Sequence, residues 1–212
     1  MEGYHPSVDS AGGESGIPLH SPAMQPAHDD TALMLAYAGG EAVAFERLYA
    51  LHKAGLYGFL HRQSPRTAWV DDVFQETWLA VVNARHDYRP TASFRTWLFG
   101  IARNKLIDRI RLKEPALLGD FLNEDDEDPL ARVAADSRQE PASRLAGKQA
   151  GQALDTALRA LPAVQREVFL LREQADMSLE DIAALTGVPM ETAKSRLRYA
   201  VAKLKATLAG VS

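Results

Sequence analysis

The chain has 212 residues, no cysteine and a formal net charge of −4. That length allows one large domain or two small ones, and the missing cysteines exclude disulfides, thiolate metal sites and a cysteine nucleophile, as fits a reducing compartment. No apolar run approaches the roughly 18 residues of a membrane span and no basic, apolar leader opens the chain, so a soluble cytoplasmic protein without membrane insertion is expected.

An acidic total argues against a nucleic-acid binder, but the distribution reverses that. Residues 1–32 hold five acids and no Lys or Arg, and residues 115–147 hold eight acids against three arginines. By contrast, residues 94–114 hold six bases against two acids, and 190–206 hold five against one. Two short basic segments in an acidic chain point to two separate polyanion contacts. The six histidines, at 5, 20, 28, 52, 61 and 86, form no H-E-x-x-H set. No G-x-x-x-x-G-K-[ST] loop is present either, so no metal, cofactor or enzymatic activity is expected.

Residues 1–28 are rich in Gly, Pro and Ser without a sustained period and read as a disordered tail. From Asp29 the pattern turns helical. Thr31 is expected to cap a short helix stopped by Gly39-Gly40. A longer one follows with Phe45, Leu48, Tyr49, His52, Leu56, Phe59 and Leu60 inward. "TAWVDDVFQETWLAVVNAR" predicts a third helix, with Val70, Val73, Phe74, Thr77, Trp78 and Val81 inward and Asp71, Asp72, Gln75 and Glu76 largely outward. After "HDYRPTA", Ser93 caps a fourth, whose stripe is Phe94, Leu98, Ile101, Ala102, Leu106 and Ile110. Residues 115–147, with "NEDDEDP", read as a flexible acidic linker. Order resumes at Lys148 with a helix to Leu161, and Pro162 suits the first turn of the next. No segment has strand period. The expected fold is all-α: two small helical domains, 29–114 and 148–212, joined by the linker.

"SLEDIAALTGVPMETAKSRLRYAV" has helix–turn–helix proportions: Ser178 with Asp181 as a capping box, Gly187 as a left-handed stop, and a second helix opened by Pro189. At 100° per residue, Ala193, Leu197, Ala200, Val201, Leu204 and Leu208 share one arc of about 100°. Glu191, Ser195 and Arg198 fall near the opposite pole, flanked by Lys194 and Arg196. Such a helix suits a major groove, with side chains for base edges at the centre and cations for phosphates at the borders. The first basic segment has another character. Tyr88, Phe94 and Trp97 are interleaved with Arg103, Asn104, Lys105, Arg109 and Arg111, as single-strand binding by base stacking and cations requires. A linker of about 33 flexible residues has a root-mean-square span of only ~30 Å, although it can stretch past ~100 Å. Holding both modules on well-separated DNA sites therefore calls for a scaffold partner.

"DDVFQETWLAVV", "FRTWLFGIARNKLIDRIR", "LRALPAVQREVFLLRE" and "SLEDIAALTGVPMETAKSRL" occur in that order. Together they resemble the extracytoplasmic-function (ECF) sigma factors of the sigma-70 family. The resemblance implies a sigma region 2-like domain that binds core polymerase, reads the −10 element and melts it, and a region 4-like domain that reads the −35 element. It implies RNA polymerase core (its beta and beta-prime subunits), promoter DNA and an anti-sigma factor as partners. By resemblance, Asp71, Asp72, Gln75 and Glu76 dock polymerase. The −10 contacts fall on Asn104, Lys105, Asp108 and Arg111, and the loop "DYRPTASF", with Tyr88 and Ser93, captures a flipped base; Trp97 and Arg103 join them from the aromatic–cation cluster. The −35 contacts are Glu191, Thr192, Lys194, Ser195, Arg196, Arg198 and Tyr199. The chain departs from the family in having Tyr-Ala-Val at 199–201, where Arg-Ala-Arg is usual.

Two other readings compete. A dimeric helix–turn–helix repressor or activator would bind duplex DNA alone and need no polymerase. A sigma-like decoy that binds only an anti-sigma protein would have lost its DNA face, whereas Lys194, Ser195, Arg196 and Arg198 are all present.

Overall fold

The computed structural model describes residues 29–122 and 148–209. The expected tail at 1–28 and most of the expected linker lie outside them. The described residues contain α-helices and short 3₁₀ turns and no strand, as the all-α reading requires.

Helix α1 (Asp30–Ala38) begins two residues earlier than a cap at Thr31 would place it. The carboxylate of Asp29, rather than the hydroxyl of Thr31, accepts the backbone N–H of Ala32 at 3.1 Å. An Asp in that position meets one of the orphan donors of the first turn and favours the positive helix end. Gly39 and Gly40 end the helix, Gly40 at φ 105° where a side chain would be strained. Helix α2 (Ala42–Gln63) and α3 (Val70–Asn83) are followed by α4 (Phe94–Lys113). Ser93 caps α4 by accepting from Thr96 N at 3.0 Å.

The first module packs α1–α4 around a buried centre drawn from Leu48, Leu56, Phe59, Val73, Trp78 and Phe94, with Leu98, Leu106 and Ile110 continuing it along α4. Of the expected α4 stripe, only Ile101 is half-exposed. Aromatic rings brace this core: Trp78 meets Phe45 edge-on with ring centroids 5.8 Å apart and Tyr49 at 5.0 Å, a favoured geometry for aromatic quadrupoles.

Order does not stop at Pro115, where the linker was expected to begin. A 3₁₀ turn (Pro115–Leu117) leads into the short α5 (Leu118–Leu122), and Phe121 is buried. A Phe set in an acidic stretch is a poor periodicity signal, and its burial depends on surfaces far away in sequence.

The second module comprises α6 (Lys148–Arg159), α7 (Ala163–Ala175), α8 (Leu179–Thr186) and α9 (Met190–Ala209). Pro162 precedes α7 as its N-cap, with extended backbone, instead of lying in its first turn. Asp176 ends α7 in the left-handed region at φ 53°, a conformation that Asp and Asn tolerate best after Gly. Ser178 caps α8 by accepting from Asp181 N at 3.0 Å, and Gly187 ends it at φ 73°. The turn chemistry of the helix–turn–helix is therefore as the sequence reading has it.

The two modules pack against each other. Helix α7 lies on α2, α4 and α5, α6 touches α2, and one buried apolar cluster runs through both modules. Phe121→Ala tests this layer. Chemical denaturation should show a loss of about 3–5 kcal/mol, as for other core Phe truncations; a loss below about 1 kcal/mol would mean α5 is not packed.

Candidate nucleic-acid interface and partner face

The carboxylate face of α3 is open to solvent at both ends. Asp71, Asp72 and Gln75 are exposed, and Glu76 is partly so. Two other helices shape it. The Tyr57 hydroxyl of α2 donates to Asp71 Oδ1 at 3.0 Å. From α4, the Arg109 guanidinium reaches Asp72 Oδ2 at 3.1 Å and also bonds Glu76 Oε1. Burial works against the charge on Arg109, but these two carboxylates outweigh it and hold its pKa above the ordinary value. The hydrogen bond to Asp71, helped by its charge, likewise raises the Tyr57 phenol. Arg109 belongs to the basic segment read as a single-strand contact. In the structure it is instead the brace of the acidic face. Its carboxylate partners lie one helical turn apart on α3, but nothing in the local spacing links them to Arg109.

The expected −10 residues separate into two groups. Asn104, Asp108 and Arg111 are exposed and Lys105 is half-exposed, so one side of α4 presents mixed polar and cationic groups. Arg111 pairs with Asp108 at 2.8 Å on that surface. Ser93 is exposed as the cap, its hydroxyl 2.9 Å from that of Thr96, and Trp97 is half-buried. Tyr88 and Arg103 are not on the surface. Tyr88 is 3% exposed, its ring 5.0 Å from Trp97 and 6.4 Å from Phe94. The aromatics expected to stack on bases stack on one another and pin the 84–93 loop to α4. Arg103 is buried under the second module, its Nε 3.0 Å from Glu167 Oε1.

On α9, Glu191, Lys194 and Arg198 are exposed. Lys194 lies 3.6 Å from Glu191, one turn earlier. Thr192, Ser195 and Tyr199 are half-exposed, with the Ser195 hydroxyl donating to Thr192 O at 3.0 Å. Arg196 is buried, unlike the flanking cation expected there. It lies on the side of α9 that faces α7, where its charge acts on Glu167. Burial pushes the Glu167 carboxyl up from the ordinary range, while Arg103, Arg196 and Arg166 pull it back. Arg198 stacks on the Tyr199 ring, with its guanidinium carbon 5.0 Å from the centroid. The family departure at 199 thus replaces a cation with a ring that shelves the neighbouring arginine.

Glu167 was missed because "QREVF" offers only a charged residue in a helical window. Its inward phase on α7, alongside Val168 and Leu171, was the available signal. No cluster of His, Cys, Asp or Glu suited to a metal occurs among the described residues.

Comparison with known proteins accounts for this pairing of modules. Sigma-70 region 2 matches residues 48–114, and Sigma-70, region 4 matches residues 151–204. The chain belongs to the sigma-70 family. RNA polymerase sigma factor CnrH of Cupriavidus metallidurans is 32% identical over 87% of this chain and 97% of its own length. ECF RNA polymerase sigma factor RpoE of Cereibacter sphaeroides is 28% identical over 78% and 86%. The solved complex of CnrH with the cytosolic domain of CnrY aligns with TM-score 0.56 and 30% identity, covering 87% of this chain and 99% of CnrH. RpoE bound to the anti-sigma factor NepR, from Bartonella quintana, aligns with TM-score 0.56 and 26% identity, covering 77% and 96%. The chain is thus an ECF sigma factor; members of this group are DNA-binding initiation factors, not enzymes.

The buried ring of Tyr88 yields a test. Its hydroxyl is buried and has no hydrogen-bond partner, so Tyr88→Phe should leave stability unchanged or raise it by up to about 1 kcal/mol. A denaturation midpoint shifted down by more than that would show that the hydroxyl is satisfied.

Proposed function

We propose that this sigma factor binds RNA polymerase core, directs it to promoters and begins strand separation, working in the cytoplasm beside the polymerase. The observation that supports this most is the presence of both sigma-70 regions, in order, in one chain, each presenting exposed polar and cationic side chains on one helix. The relatives named as RNA polymerase sigma factors align over most of their length.

Polymerase core engages Asp71, Asp72, Gln75 and Glu76. Carboxylates suit a basic partner helix, where complementary charge fixes orientation and speeds association. Arg109 offsets part of that charge and holds Asp72 and Glu76 at one turn's spacing. The first module, 29–114, takes the −10 element through Asn104, Lys105, Asp108 and Arg111, with Ser93 and Trp97 bordering a base extracted from the non-template strand. Base extraction costs a few kcal/mol, which binding in a pocket offsets. The second module, 148–212, lays the first turns of α9 in a major groove. Lys194 meets phosphate there, Arg198 meets a base edge, and Glu191, Ser195 and Tyr199 border it. An anti-sigma factor is the expected inhibitor, as NepR is named for the Bartonella relative.

Run-off transcription with purified core and promoter fragments tests the reading; transcripts should depend on this chain. Tight binding of symmetric duplex sites by the chain alone, without transcripts, would instead mark a repressor. Within the complex, Arg198→Ala should cost ~1–3 kcal/mol at one base position. Lys194→Ala should weaken all sequences alike and flatten the salt slope by about one unit. Equal losses on every sequence from Arg198→Ala would remove its base-reading role.

A further inference from the structure

Helix α9 holds its outward side chains in a set arrangement. Lys194 lies 3.6 Å from Glu191, one turn earlier, and the Ser195 hydroxyl donates to Thr192 O at 3.0 Å. Arg198 is held differently. Sequence neighbours on a helix do not ordinarily face each other. Yet the Arg198 guanidinium carbon lies over the Tyr199 ring, 5.0 Å from its centroid, and Nη2 donates to the Tyr199 hydroxyl at 3.4 Å. At 100° per residue, Arg198 leaves the helix about 60° to one side of Ser195 and Tyr199 about 40° to the other. To meet the ring, the guanidinium is drawn from the border of the polar face toward its centre. Arg103, Arg109 and Arg111 on α4 are each matched by a carboxylate, whereas Arg198 rests on a neutral ring and its hydroxyl. The Tyr199 ring is half-exposed and stands outside the buried cluster that Leu197, Ala200 and Leu204 join. Its contact with Arg198 is therefore not a by-product of core packing.

We propose that Tyr199 is a positioning residue for base recognition: it holds Arg198 to read guanine, in place of the phosphate attraction that a cation at 199 would supply. This rests on the reading of α9 as a duplex contact. The ring covers the flat side of the guanidinium and leaves its edge free. One donor of the planar fork goes to the hydroxyl, and the rest stay available in the plane. Two parallel N–H groups need two acceptors side by side. Among base edges in the major groove only guanine presents them, as O6 and N7; adenine sets a donor beside its N7, and thymine a methyl beside its O4. An unheld guanidinium can turn to phosphate instead, which every sequence offers. Fixing its plane beforehand also lessens the rotamer freedom lost on binding. The arginine usual at 199 would neutralise one more phosphate; the ring neutralises none.

The full chain is measured first alone. The Arg198 Nε–H proton, assigned by its loss in Arg198→Ala, should be shifted upfield by the ring in NMR spectra. Tyr199→Leu should abolish that shift and Tyr199→Phe should keep it. The same chains are then loaded on purified core, and binding to promoter fragments varied at each upstream base pair is followed across a salt series. The unaltered chain should prefer guanine at one position by about 10-fold, within the worth of a bidentate pair. Tyr199→Leu should lower that preference about 2- to 5-fold, the worth of a cation–π contact at an exposed site, with the salt slope unchanged. Tyr199→Phe should retain it. Tyr199→Arg should lose it while steepening the salt slope by about one unit. With Arg198→Ala already in place, Tyr199→Leu should change nothing further, because the ring acts only through Arg198. A guanine preference that survives Tyr199→Leu, or a loss of binding as large without Arg198 as with it, overturns the positioning role and leaves the sigma reading intact. An Arg198 signal unmoved by Tyr199→Leu overturns the shelf itself. A loaded polymerase that selects no sequence removes the sigma reading, and the base assignment with it, whatever the spectra of the free chain show.

Discussion

Arg103 and Glu167 are both buried, the guanidinium held against a carboxylate that Arg196 and Arg166 also act on. Removing either partner of such a pair leaves an uncompensated charge in low dielectric, at a cost of about 3–5 kcal/mol. The pair joins residues 64 positions apart, one from each module. It is set beside apolar packing: one buried cluster runs through both modules, and Phe121 of α5 is buried with it. The apolar surfaces supply the gain on burial, and the pair fixes how they align, because a displaced guanidinium would leave the carboxylate uncompensated.

The elements themselves were legible because each has strong local signals. Ser93, Ser178, Gly39-Gly40 and Gly187 mark helix ends through side-chain caps or left-handed backbone, and both act within four residues. The apolar stripes of α3 and α4 follow from period alone. What failed depended on surfaces distant in sequence. Helix α4 is buried on more than one side, with Phe99, Gly100 and Arg103 turned away from the principal stripe. A single-stripe reading must assign that second side to solvent, and so to DNA. Arg103 and Arg196 carry the same error. A guanidinium in a helical window is counted as surface unless its carboxylate partner is known, and Glu167 lies 64 residues from Arg103. Tyr88 failed differently. Loop aromatics near cations are equally suited to stacking on bases or on neighbouring rings, and sequence order does not separate the two.

Charge placement follows the same division between local and tertiary. The net −4 conceals two basic helices, yet not every cation in them is available outside. Arg109 is spent on α3 and Arg103 on α7. The exposed basic character of α4 therefore rests on Arg95, Lys105, Arg111 and Lys113, with Asp108 partly offsetting it. On the proposed reading, in which α4 meets a separated strand, a less cationic surface suits a contact whose favourable terms are stacking and base-edge bonds, with phosphate attraction serving mainly to position. Helix α9 keeps Lys194 and Arg198 outward, as the proposed duplex contact, more dependent on phosphate, requires.

The unequal exposure of these surfaces separates two kinds of contact. The acidic face of α3 is accessible, with Asp72 63% and Glu76 45% exposed, while Arg103 on α4 is covered where it meets Glu167 of α7. A surface carrying complementary cations can therefore meet those carboxylates without disturbing the packing of α7 on α2 and α4.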